Sequence, residues 1–200
     1  MKIGNASKIN VYSGQIISRV EAKDEVGDNV LEERKVLIPK AISNGRVNHS
    51  DLGIVKLKKS VDAERITKKG DVVLKLSTPY DAAYIEEDDE GLVVPSFCCI
   101  IRIGKEAKNN PEFLVAYLNT SYARELLKAK VAGSTMPMIK ISDVKDFEVP
   151  DISITKQQTL GEAYSLSCHK QSVLKDLLLN EQKIIENVLM NTVKEALAND

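Results

Sequence analysis

From Lys156 to Leu197 the chain contains no proline and a single glycine, Gly161, while Leu160, Leu166, Leu174, Leu177, Leu178, Ile184, Ile185, Val188, Leu189 and Val193 form a broad helical stripe. At 1.5 Å per residue, some 40 residues span about 60 Å, longer than a small domain. Part of that stripe must therefore find another helix. Leu174, Leu178, Glu181, Ile185, Val188 and Thr192 follow the four-three spacing of a coiled-coil seam, two of the six being polar. The expectation is one long C-terminal helix whose dimerisation contacts are Leu174, Leu178, Ile185 and Val188. The plainer alternative is a terminal helix packed on its own domain.

Ahead of that helix the pattern is different. Between Gln15 and Ile103, short β-rich runs alternate with turn residues: QIISRV, KVLIPK, GIVKLK, DVVLKLS and the apolar GLVVPSFCCIIRI. Asn44-Gly45 and Lys69-Gly70-Asp71 read as turns, and EEDDE at 86–90 as a solvated acidic loop. After Pro111 the period lengthens, with Phe113, Leu114, Tyr117, Leu118, Ala123, Leu126 and Leu127 at helical spacings, Pro111 suited to the helix start and Gly133 to its exit. MIKISDVKDFEV at 138–149 returns to strand-like chemistry before Pro150. The fold class predicted is α+β: a mixed domain over 1–155, then a helix over 156–200.

Several chemistries have little to stand on. Adjacent Cys98 and Cys99 are poorly placed for a local disulfide or a relaxed metal chelate, and Cys168 lies on another element, so all three read as reduced core thiols. His49 and His169 are far apart, and no HExxH, CxxC, GxSxG or Walker-type loop occurs. No catalytic residue, metal or cofactor is expected. The first residues, MKIGNASKINVYSG, lack an apolar signal core, and no run reaches the roughly 18 apolar residues a membrane helix needs. A cytoplasmic chain without a membrane partner is expected.

The ordered run NPEFLVAYLNTSYARELLKAKVAGSTMPMIKISDVKDFEVPDISITKQQTL resembles the target-recognition half of a type I restriction-modification specificity subunit. Its landmarks are Pro111, Phe113 and Leu114 at a helix start, Gly133-Ser134 at a turn, Ile141-Ser142 in a strand, Val149-Pro150 at a stop, and Gln157-Gln158 opening the last helix. GDVVLKL at 70–76 resembles a Gly-Asp-apolar strand found earlier in such domains. Asp151-Ile152-Ser153 departs from the pattern, since a second proline is common there. The resemblance implies a noncatalytic DNA-specificity protein with one target-recognition domain (1–155) and one spacer helix (156–200), where the usual subunit carries two of each. Two copies pairing their helices antiparallel would restore that arrangement and read inverted half-sites on double-stranded DNA. The partners implied are a methyltransferase (modification) subunit and, in some systems, a restriction subunit; methyl transfer would occur in the partner, because no methyl-donor loop or Asn/Asp-Pro-Pro-aromatic motif occurs in this chain.

Net charge is −1, so any anion-binding face must be local. Residues 31–75 hold eleven Lys and Arg against six Asp and Glu, an excess of five positive charges. Asn44, Arg46, Asn48 and His49 are suited to base edges and phosphates, and Lys56, Lys58 and Lys59 to the DNA backbone. Tyr80 beside a turn, and Ser134 and Thr135 at a helix exit, complete the candidate contacts, although each type is common at such places without a ligand. The competing reading is a coiled-coil assembly adaptor without DNA binding, marked by an exposed apolar patch in place of a basic face. A hydrolase built on Asp88 and Asp89 lacks a plausible base or metal cluster.

Overall fold

The computed structural model describes residues 2–5, 8–23, 27, 29–104, 107–131 and 137–198. In chain order the strands are β1 (Ile9–Ser13), β2 (Glu32–Val36), β3 (Ile42–Ser43), β4 (Arg46–Val47), β5 (Gly53–Leu57), β6 (Val72–Lys75), β7 (Ala82–Tyr84) and β8 (Cys98–Ile103). The helices are α1 (Pro111–Leu118), α2 (Ser121–Ala129), α3 (Ile141–Lys145) and α4 (Ile154–Ala198). Two compact units result, Met1–Ser165 and Leu166–Asp200. The architecture is α+β with a long terminal helix, as expected.

An antiparallel sheet ordered β1-β8-β6-β7 forms the centre of the first unit. Its middle strands are buried on both faces, which is why VVL in β6 and CCII in β8 read as unbroken apolar runs with little alternation. Val72, Leu74, Cys99 and Ile101 face a core completed by Phe113, Leu118, Leu127, Val144 and Phe147 of the helical side. On the other face Val73, Cys98 and Ile100 meet Leu37, Ile42, Ile85 and Val94. A smaller cluster, Val20, Val36, Val55, Leu57 and Val93, lies under the ribbon formed by β2 and β5. All three cysteines are buried, and burial pushes the Cys98 thiol up to about 12, which disfavours its thiolate form.

Four local expectations need correction. QIISRV forms a 3-10 turn at Ile17–Arg19. Within KVLIPK the strand ends at Val36, because the ladder gives way to a 3-10 turn at Pro39–Ala41. The helix after Pro111 is two helices: the Thr120 side chain accepts the Ala123 N–H at 3.1 Å and starts α2 afresh. MIKISDVKDFEV contains the short helix α3, where the Asp143 carboxylate accepts the Lys140 N–H at 2.8 Å, while Val144 and Phe147 turn into the core. Alternating apolar residues there mimicked a strand. The expected turn at Gly133 lies outside the described residues.

The start of α4 is fastened within the first unit. Gln157, 3% exposed, accepts the Asn110 N–H at 3.0 Å through Oε1 and donates from Nε2 to the Ile152 carbonyl at 2.9 Å. Asn110 in turn caps α1, its side-chain oxygen accepting the Phe113 N–H at 2.8 Å. One turn further along α4, a Cβ added at Gly161 would lie 2.7 Å from Asn110 Oδ1 and 2.8 Å from the Phe113 nitrogen. No larger residue fits that approach without displacing the cap.

Candidate nucleic-acid interface

Asn44 and Gly45 join β3 to β4 with positive φ angles of 50° and 74°, the geometry an Asn-Gly hairpin turn requires. The turn presents Asn44 to solvent. The next candidate side chains are engaged inside the molecule. Arg46 forms an ion pair with Glu86 at 2.8 Å. The Asn48 side chain accepts the Ser50 N–H at 3.2 Å and donates to Asp51 at 2.7 Å. His49 Nε2 lies 2.7 Å from Asp89 Oδ1, and Asp89 is buried at the level of 4% exposure.

The acidic run 86–90 therefore differs from the solvated loop expected of it. Besides meeting Arg46 and His49, it closes on itself where Asp89 Oδ2 accepts the Glu86 N–H at 3.1 Å, and Glu87 pairs with Lys69 at 2.8 Å. That hydrogen bond and charge raise the Lys69 ammonium and lower the Glu87 carboxyl relative to their ordinary values. This acid segment neutralises the hairpin side of the domain.

The lysines lie elsewhere. Lys56 is exposed on β5, Lys58 is half-buried just beyond that strand, and Lys59 is exposed. Lys35 on β2 was not singled out from the sequence, yet it points outward too. No local signal marks it, because EERKV shows no apolar alternation; the structure places it, with inward and exposed positions alternating along EERKV and GIVKL and cross-strand register pairing Lys35 with Ile54 and Glu33 with Lys56. Tyr80, expected at the surface, is 2% exposed because its ring joins the main core. Ser134 and Thr135 lie outside the described residues.

In the second unit, Leu174 is 49% exposed, Leu178 62%, Ile185 54% and Val188 60%, so the seam expected from the sequence is uncovered in the single chain. No helix among the described residues is long and apolar enough to cross a membrane. Nor do three or more His, Cys, Asp or Glu among them come together as metal ligands would.

No family model matches the sequence, and no curated protein does. Solved structures do. The HsdS subunit from Thermoanaerobacter tengcongensis superimposes with a TM-score of 0.55 at 18% identity, over 84% of this chain and 44% of that one. A chain from a structure concerned with complex assembly and conformational transition of the type I R-M system gives 0.56 at 18% identity, over 88% of this chain and 45% of that one. The fold is thus shared with type I restriction-modification S subunits across most of this chain, which spans less than half the length of those proteins.

Proposed function

We propose that the protein is a sequence-specific DNA-binding specificity subunit of a type I restriction-modification complex, noncatalytic itself, which positions a methyltransferase subunit on a bipartite site. Residues 1–155 read DNA in this proposal and residues 156–200 set the spacing. The shared fold carries the reading, and the uncovered apolar stripe of α4 supports its dimeric form. Two copies joined antiparallel along α4 would present two identical reading units, so the site would consist of inverted half-sites separated by a fixed gap. A restriction subunit would join the same assembly in systems that cleave DNA.

A second reading, the assembly adaptor, draws on an apolar furrow of about 290 Å³ whose lining includes Ile38, Ile54 and Phe97, the last 55% exposed. One experiment separates the two. The chain is purified with a type I methyltransferase subunit, and methylated positions are mapped on genomic DNA. Inverted half-sites with one gap length are expected; a stable complex that methylates no defined sequence would leave the adaptor standing.

A further inference from the structure

The β2–β5 ribbon has two unlike faces. Val36, Val55 and Leu57 point into the small core, whereas Glu33, Lys35, Ile54 and Lys56 point outward, and strand alternation continues that outward row to Leu31 and Lys58. Three lysines against one glutamate make this outward row basic, and among the described residues neither Lys35 nor Lys56 is held in an ion pair. Leu31 at 65% and Ile54 at 68% exposure bring apolar groups among those charges.

The hairpin offers the opposite situation. Arg46, Asn48 and His49 have the right chemistry for base edges, but Glu86, Asp51 and Asp89 already occupy them. Turning any of them toward DNA means breaking a charge-assisted contact and bringing an acidic segment close to phosphates, which repel it. Lys35, Ile54 and Lys56 on the ribbon carry no comparable penalty.

We infer that the outward face of the β2–β5 ribbon is the base-reading surface of this domain, an inference that rests on the DNA-binding function proposed above. A major groove about 12 Å wide admits a two-stranded β-ribbon. Lys35 and Ile54, opposite each other in the register, face the base edges: the ammonium donates to the guanine O6 and N7 acceptors, and the isoleucine methyls pack on a thymine methyl. Lys56 and Lys58 follow the phosphates. A duplex is the occupant chosen because the row combines cationic donors with exposed apolar groups, matching a polyanion whose groove floor carries methyls and acceptors. The hairpin and the acidic segment buttress the domain away from the bases.

The test uses the complex of full-length chain and methyltransferase subunit, with selection from a randomised duplex library and methylation mapping. Wild-type complex defines the half-site; if it selects no sequence, the proposed function fails and the ribbon goes with it. Given a defined half-site, Ile54→Ala and Lys35→Ala are expected to relax preference at one or two base positions by about tenfold each. Lys56→Ala with Lys58→Ala should weaken binding to all sequences and lower the log–log salt slope by about 2. All four side chains are on or near the surface, and unfolding curves of the variants verify that the domain is intact. Unaltered base preferences in both reading variants, with preferences altered in Arg46→Ala, would move the reading surface to the hairpin and overturn the inference. Loss of the methyltransferase subunit in the ribbon variants, with DNA affinity of the chain alone retained, would overturn it in favour of a protein-docking face.

Discussion

Asp71 shows what one residue of a short motif does for the fold. It is 1% exposed, and both carboxylate oxygens are used: Arg102 donates to Oδ1 from Nε at 2.8 Å and to Oδ2 from a terminal nitrogen at 2.7 Å, while the Lys68 N–H adds a contact at 2.8 Å. The Gly-Asp that opens β6 is thus a turn tied to the far end of β8. Arg102→Met leaves the buried carboxylate without its counter-charge and is expected to cost about 3–5 kcal/mol in denaturant unfolding. Glu112 carries the opposite sign. Burial first, then the neighbouring Glu162 and Glu86, raise its carboxyl above the ordinary 4.5, so the ionised form is disfavoured in the folded chain. That penalty is absent below the ordinary value and grows as pH rises through the folded one. Glu112→Gln is therefore expected to raise the melting temperature slightly at pH 7, an effect softened by solvent screening. Melting curves should converge with wild type below pH 4.5, and a variant equally shifted at both pH values would refute the electrostatic cause. Such residues also show what the sequence conceals. Asn44-Gly45 is legible because the turn is local, whereas the partners of Arg46 and His49 lie 40 residues away and no local pattern announces them.

At the scale of elements, the junction between α1 and α4 gives a prediction whose sign is informative. Replacing glycine by alanine inside a helix ordinarily stabilises by up to about 1 kcal/mol. At Gly161 the added methyl would press on Asn110 and the Phe113 nitrogen, the same pair that forms the α1 cap. Gly161→Ala is expected to destabilise by about 1–3 kcal/mol, since loss of a cap alone costs about 1 kcal/mol and strain adds to it. Chemical unfolding decides: a gain in stability would mean that the helices do not approach so closely. The same scale explains which elements were readable. β5, β6 and β8 were found as apolar runs, and α4 as a long uninterrupted stripe. β7, of three residues, was too short to show a period, and its backbone is held by Asn119, whose side chain both donates to and accepts from Ala82. α3 is hidden because Ile139 and Ile141, like Phe147 and Val149, alternate as in a strand, while the Asp143 contact to the Lys140 N–H closes a helical turn between the two pairs. Of the proposed interface, Lys56 on β5 and Lys58 just beyond it are visible from charge alone, but Lys35 becomes visible only when register places it across from Ile54.

For the whole molecule, the proposal divides two properties of the DNA site between two parts of the chain. α4 is 45 residues long, about 66 Å at 1.5 Å per residue, and its apolar positions are uncovered in the single chain. If two copies join along that stripe, charges placed in the seam are buried at high cost, so Leu178→Glu with Ile185→Glu should convert a dimer to a monomer in light scattering at micromolar concentration. A monomeric wild-type chain under those conditions would remove the symmetric assembly. Shortening the helix tests its role as a spacer. Deleting residues 178–184 removes one heptad and brings Ile185 into the place of Leu178, so the four-three seam continues with an apolar residue in register. The helix loses about 10 Å, close to three base pairs at 3.4 Å each. Since the residues proposed to touch bases all lie before position 155, the methyltransferase complex of the deleted form should methylate the same inverted half-sites across a gap about three base pairs shorter. An unchanged gap would mean that the spacing is set by the methyltransferase subunits, and changed half-sites would mean that reading and spacing are not separable along this chain.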